Sequence, residues 1–265
     1  MPTLTPYLGW VARATLGKGT SRREARYDLV AAVAKRWGFR LNQRGVSWHT
    51  DEAFLDLIRR FPGGGGHTPK RYNLYHLAKG TAHLPGDTAE CGVATGITSH
   101  LICLATQREG RSHHTFDSFE GLPEPEAIDK PRVANITALE KGQYAVGLDQ
   151  VRRHLSAFNH VVFHKGWIPD KFGNVADRQF SFVHVDVDFF QPTLDCFKFF
   201  YDRMIPGGMI VCDDYGFPQT PGAKDAMDQF FADKPEPIIK LAAGHAMIVK
   251  QGPSIEAGRR HLGSL

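Results

Sequence analysis

The chain has 265 residues, 42% hydrophobic and 23% charged, the proportions of a globular protein rather than a disordered or fibrous one. Its 32 basic and 28 acidic residues leave a net charge of +4, spread along the chain instead of gathered in a basic run, which argues against a nucleic-acid partner. No apolar stretch approaches the roughly 18 to 20 residues of a membrane span, and the N-terminus lacks an apolar core of signal-peptide type, so a cytoplasmic location is expected.

Helical periodicity after a serine start predicts a helix over residues 21–37, and DEAFLDLIRR predicts another over 51–60. FPGGGGHTP at 61–69 then interrupts, its four glycines reading as a flexible connector between an N-terminal helical extension (1–66) and a larger domain (67–265). Neither this run nor GKGT at 17–20 has the spacing of a phosphate loop. A helix over 69–83 follows, and from Thr88 short apolar runs alternate with helical segments. Strands are expected over 88–93, 112–118, 160–166, 180–188 and 207–215, with helices over 98–107, 147–158, 193–204 and 223–232, and a closing pair at 237–241 and 246–251. Continuous apolar strands alternating with helices predict a mostly parallel sheet covered on both faces.

Cys91, Cys103, Cys196 and Cys212 show no C-x-x-C spacing and read as reduced, buried residues rather than a zinc site. His113, His114, His160, His164 and His184 sit near strand ends and read as strand-face packing or surface residues rather than metal ligands.

Ligands of open α/β sheets bind outside the carboxyl ends of the strands, so the closing residues of each strand matter most. The first strand ends in AECGVATG, where Glu90 precedes Gly92 and Gly96 at a turn that lets a ligand approach the backbone. The spacing departs from the dinucleotide fingerprint G-x-G-x-x-G. The second strand ends at Asp117, placed to accept both hydroxyls of a ribose, and together the two ends suggest an adenosine-containing cofactor. SFEGLPEPEAIDKPR, 118–132, is a long loop of the kind that forms a lid or binding segment.

The fourth strand carries Asp186 and Asp188, which a period of two would put on one face, and the fifth ends in Asp213 and Asp214. Four carboxylates this close would force protonation unless a cation joins them, and hard oxygen donors suit Mg²⁺, with Mn²⁺ or Ca²⁺ able to substitute. No Arg/Lys cluster beside the acids is legible that would favour phosphoryl transfer.

The set AECGVATG, HTFDSFEGLPEP, HVDVDFFQPT and IPGGMIVCDDYGFPQTPGAKDAMDQFF resembles the macrocin O-methyltransferase family over about residues 70–250. The resemblance implies a Rossmann-like class I methyltransferase fold with a seven-stranded sheet, and an N-terminal helical cap. It also implies O-methylation of a sugar hydroxyl in a glycosylated natural product, glycolipid or polysaccharide, using S-adenosylmethionine and Mg²⁺. By it, Glu90, Gly92 and Gly96 line the methionine and ribose of the cofactor, Asp117 takes the ribose hydroxyls, Ser118 lies beside the adenine, and HKGWIPD brings Gly166 and Trp167 to the adenine border. Asp186, Asp213 and Asp214 match the metal ligands, with Asp186 also the candidate base and Asp188 orienting the cofactor. The family pattern G-V-[WY]-[RK]-G-G is replaced here by Gly92-Val93-Ala94-Thr95-Gly96. A small-molecule or glycan acceptor and a homo-oligomer are expected. The competing readings are a catechol-type phenolic methyltransferase and a non-catalytic module of the same fold holding an adenosine ligand.

Overall fold

A computed structural model describes residues 5–38, 48, 51–61 and 67–252. The chain divides into two compact units, Met1–Leu57 and Ile58–Leu265. The glycine run expected as the connector, 63–66, lies outside the described residues.

In the first unit α1 (Thr5–Leu16), which the periodicity did not reveal, packs on α2 (Gly19–Arg36). Arg22 and Arg26 of α2 donate from Nε to the Ala14 carbonyl at 3.3 and 3.1 Å, placing positive charge on the unsatisfied carbonyl end of α1. Helix α3 (Glu52–Arg59) spans the division and is capped by Asp51, whose Oδ1 accepts from the Phe54 N–H at 2.9 Å.

The second unit is a doubly wound sheet. Its elements run α4 (Thr68–Gly80), β1 (Asp87–Cys91), α5 (Ile97–Thr106), β2 (His113–Asp117), α6 (Leu148–His154), β3 (Val161–Lys165), β4 (Phe180–Val185), α7 (Phe190–Phe200), β5 (Met204–Cys212), α8 (Pro221–Phe231), β6 (Ile239–Lys240) and β7 (Ala246–Val249). The seven strands lie in the order β3-β2-β1-β4-β5-β7-β6, parallel except for β7, which runs antiparallel to both neighbours. The seven-stranded, mostly parallel sheet expected from the sequence is therefore present. Prolines open two of the helices, Pro69 in α4 and Pro221 in α8, where a missing N–H costs nothing.

A register shift in β4 between Phe180 and Phe182 reverses the alternation of side chains, so these two phenylalanines pack on opposite faces of the sheet although they stand two apart. Phe180, Val183 and Val185 join Ala89, Cys91, Ile210 and Cys212 against Phe197 and Phe200 of α7 and Met227 of α8. Phe182 joins Val211 and Met247 on the other face, against Leu74 and Ala78 of α4 and Ile102 of α5. All four cysteines are free and buried, as expected.

One expectation needs correcting. Strand β4 ends at Val185 and β5 at Cys212, so Asp186, Asp188, Asp213 and Asp214 all stand beyond the strands. The period-two argument therefore does not apply to Asp186 and Asp188. Asp186 still donates its N–H to the Cys91 carbonyl at 2.8 Å, whereas Asp188 turns into the left-handed region at φ 61°.

At the end of β1 the backbone of Gly92 (φ 82°) runs so close to that of Asp186 that an added Cβ would stand 1.7 Å from the Asp186 carbonyl oxygen. Gly92→Ala should lower the unfolding free energy by ~3 kcal/mol or more. Denaturant titration reads this directly, and wild-type stability in the variant would mean the two strand ends are not in this contact.

Candidate functional site

The sheet order reverses between β1 and β4, and a cavity of about 630 Å³ opens there at the carboxyl ends of the strands. Each strand from β1 to β5 delivers residues to it: Gly92 to Thr95 after β1, Asp117 and Ser118 at the end of β2, Gly166 and Trp167 after β3, Asp186 and Asp188 after β4, Asp213 and Asp214 after β5. Nine of the eleven residues nominated from the sequence thus meet in one space.

The other two do not line it. Gly96 opens α5 in a left-handed conformation and faces α6, where an added Cβ would meet Val151 at 3.1 Å. Glu90 is fully buried behind the cavity, on the α5 face of the sheet. Its Oε1 accepts from His184 Nδ1 at 2.7 Å, and its Oε2 accepts from the Ser99 hydroxyl. The reason is register: Glu90 and His184 are directly paired across β1 and β4 and so project to the same side. Glu90 thereby fixes His184 and Ser99 in place.

Asp117 uses both carboxylate oxygens to shape the β1 turn. Oδ2 accepts from the N–H groups of Val93 (2.7 Å) and Ala94 (3.3 Å), and Oδ1 from Phe119 (2.6 Å). Several residues around the cavity hold positive φ without being glycine, namely His67, Ala94, Tyr144 and Asp188, with Phe119 beside them. Such clustering is typical of sites whose surroundings over-determine the backbone.

The acid end carries a pronounced charge pattern. Burial opposes ionisation of His184, but hydrogen bonds to Asp213 and Glu90 push its pKa up to about 10, so the ring is an imidazolium between two carboxylates. Its Nε2 lies 3.4 Å from Asp213 Oδ1. Burial likewise opposes the charge of Asp213, yet His184 and the Lys70 ammonium hold its carboxyl well below the usual range. Asp186 and Asp214 go the other way: burial and the neighbouring carboxylates raise both well above the ordinary value, and Asp188 is pushed up to about 8 by burial and Asp186. Two groups offer donor atoms within 4.8 Å of one another, His184 with Asp186 and Asp213, and Asp186 with Asp188 and Asp214. Asp186 belongs to both. Among the described residues, the pairs His113/His114 and His160/His164 belong to no such group. His113 and His114 are instead buried against Thr88, Ser99 and Asp87.

Lys70 and Arg71 in the first turn of α4 also line the cavity, so basic residues do stand beside the acids, contrary to the sequence reading. The Lys70 ammonium pairs with Asp213 Oδ2 and lies 4.1 Å from the centroid of the Phe217 ring. Two cations in the first turn of a helix are opposed by the helix dipole, and that opposition was the available signal that acids lie opposite them.

The loop after β2 is fastened to the body. Asp129 is buried, and its Oδ1 accepts from the N–H of Phe190 at the start of α7, at 2.7 Å, while Oδ2 accepts from Glu126 at 3.1 Å. Helix α7 has no side-chain cap of its own, so a residue sixty-one positions earlier supplies one. Gly222 of α8 must be glycine to pass, since an added Cβ would stand 2.2 Å from Asp129 Oδ1. Arg132 pairs with Asp225, Gln219 donates to the Thr137 carbonyl at 2.9 Å, and Leu122, Leu139 and Phe189 form a small apolar cluster beneath. The segment is a fixed wall of the cavity in this conformation.

The macrocin O-methyltransferase (TylF) family model matches residues 77–243. Among curated relatives, the 8-demethyl-8-(2,3-dimethoxy-α-L-rhamnosyl)-tetracenomycin-C 4'-O-methyltransferase of Streptomyces olivaceus is 31% identical over 141 residues, 50% of this chain and 54% of that one. The mycinamicin III 3''-O-methyltransferase of Micromonospora griseorubida is 28% identical over 158 residues, 55% of this chain and 62% of that one. The chain thus spans less than two thirds of the length of these relatives. Among solved structures, the O-methyltransferase NovP superposes with a TM-score of 0.58 at 23% identity, covering 70% of this chain and 81% of that one. The calicheamicin methyltransferase CalS11 superposes with a TM-score of 0.60 at 16% identity, covering 87% and 90%. These likenesses show the class I methyltransferase fold.

Asp129→Ala should cost ~1–2 kcal/mol of stability through the lost α7 cap and should accelerate amide hydrogen exchange across 118–147. Unchanged exchange there would mean that Asp129 does not fasten the wall.

Proposed function

The chain belongs to the macrocin O-methyltransferase family, and from that premise we propose that it transfers a methyl group from S-adenosylmethionine to a sugar hydroxyl of a glycosylated small molecule or glycan. The observation that carries this reading is that Asp117 and the acids Asp186, Asp188, Asp213 and Asp214 open into one cavity at the point where the strand order reverses. One part of that cavity suits a nucleoside and the other an ionising hydroxyl. The relatives named above, which methylate sugar positions by their names, supply the choice of a sugar over a phenol.

In this reading the turn 92–95 borders the methionine part, and Asp117 accepts from the ribose hydroxyls with the lone pairs its backbone donors leave. Ser118, Gly166 and Trp167 border the adenine, with the 41% exposed indole at the mouth. Asp188 orients the cofactor from the acid side. Because Gly92 touches the Asp186 backbone, the donor and acceptor ends are contiguous. The acceptor hydroxyl would lie against Asp186, which would take its proton; S-adenosylmethionine, when bound, would supply the methyl group, its S–C bond breaking to leave the thioether.

The donor set also fits a divalent cation. Among the described residues Asp186, Asp188, Asp213, Asp214 and the buried Glu90 outnumber the cations beside them, Lys70, Arg71 and His184, and burial together with the neighbouring carboxylates raises Asp186 and Asp214. Asp186, Asp213 and Asp214, drawn from the two close donor groups that share Asp186 rather than from one of them, would hold Mg²⁺, which would supply polarisation of the acceptor oxygen when bound. We take the N-terminal unit as a helical extension of the enzyme and a homo-oligomer as the working form. No described helix is long and apolar enough to cross a membrane.

Two variants test the division of roles. Asp186→Asn should lower methyl transfer ~10³-fold while S-adenosylmethionine binds with a dissociation constant within about threefold of wild type. Asp117→Ala should weaken cofactor binding ~10-fold or more, which calorimetry measures. Wild-type turnover in the first variant would remove Asp186 from the chemistry.

A further inference from the structure

We propose that Lys70 is a built-in competitor for the divalent cation: its ammonium sits on Asp213 when that carboxylate has no metal, and must leave it when a metal binds. The inference rests on the functional reading above and adds to it a residue that sets how tightly the acid site takes its ion.

Three observations carry it. Lys70 is buried, its ammonium is paired directly with Asp213 Oδ2, and the face of Phe217 covers it at 4.1 Å. Asp213 already receives His184 on its other oxygen, at 3.4 Å. Both oxygens of this carboxylate are thus committed to positive partners, and a metal ion bound to Asp213 would have to share it with an ammonium at contact distance. Finally, Lys70 stands in the first turn of α4, where the helix dipole repels a cation, and Arg71 follows it along the same wall. The attraction of Asp213 is what keeps the ammonium there. Once a divalent ion neutralises that carboxylate, both the ion and the helix end favour turning the flexible side chain of Lys70 away into the cavity.

The group of Asp186, Asp188 and Asp214 offers the alternative, since the Lys70 ammonium acts on these carboxylates only through space and an ion there would leave its pair with Asp213 intact. The two arrangements make opposite forecasts for a neutral residue at position 70. If the ion uses Asp213, removing the ammonium tightens binding. If it uses Asp188 instead, the ion pair persists and little changes.

Mn²⁺ binding to the full-length protein, followed by the electron paramagnetic resonance of the free ion, separates them. Lys70→Met should bind Mn²⁺ tenfold or more tighter than wild type, and Lys70→Arg, which keeps the charge, should stay near wild type. Equal or weaker binding by Lys70→Met, or no Mn²⁺ binding by any of the three proteins, would overturn the proposal. A second readout needs only the wild type: reductive methylation of Lys70, mapped by peptide mass spectrometry, should be slow in EDTA and faster with saturating Mn²⁺. Protection of Lys70 that Mn²⁺ leaves unchanged would also overturn it. Calorimetry with S-adenosylmethionine in EDTA keeps the two readings apart. Failure of the cofactor to bind would sink the methyl-transfer reading whatever Mn²⁺ does, whereas cofactor binding with no effect of Lys70 on Mn²⁺ would sink only the competition.

Discussion

A chain of alternating charges, Glu90, His184, Asp213 and Lys70, runs from the inside of the sheet to the cavity wall, and the arrangement of the site depends on it. Its first link is a cross-strand pair between the two central strands, β1 and β4, at the place where the fold opens. A buried carboxylate without a partner costs several kcal/mol, so Glu90 requires the imidazolium, and the imidazolium in turn fixes Asp213. That chain holds Asp213 ionised. Asp186, Asp188 and Asp214 feel their cations less than they feel burial and one another, and are raised by both, which makes this end of the cavity receptive to added positive charge.

Around this chain the fold supplies a rigid frame. Gly92 brings the β1 turn against the backbone of Asp186, so the turn at the end of β1 and the acid-bearing end of the cavity are in direct contact. Asp129 closes the third side by capping α7, and the room for it exists because position 222 has no side chain. The interior is close-packed by phenylalanines from β2, β4 and α7, and such a core resists compression, which suits a site whose groups must keep their positions.

Much of this was legible in the sequence, because the signals were local. Strand runs such as FSFVHV and the alternation with helices gave the sheet, and acids at consecutive strand ends gave the polar half of the site. What stayed hidden depended on register and on long-range approach. Glu90 read as a ligand-facing residue since nothing local reveals that it pairs with His184 across two strands. Gly96 read as a ligand-facing glycine, but its neighbour is α6. The early ends of β4 and β5 put the acids beyond the strands. Lys70 and Asp129 reach their partners across 143 and 61 residues of chain, distances over which composition and periodicity carry no information. Helix α1 escaped because Gly9 interrupts it and no acidic residue marks its first turn.

The most direct test of the account is a crystal structure of the protein with S-adenosylhomocysteine and Mn²⁺, with the ion located by its anomalous scattering. The account predicts one strong peak between Asp186, Asp213 and Asp214, the nucleoside against Asp117 and Trp167, and Lys70 turned off Asp213. A nucleoside bound outside this cavity, or an anomalous peak away from these acids, would contradict it.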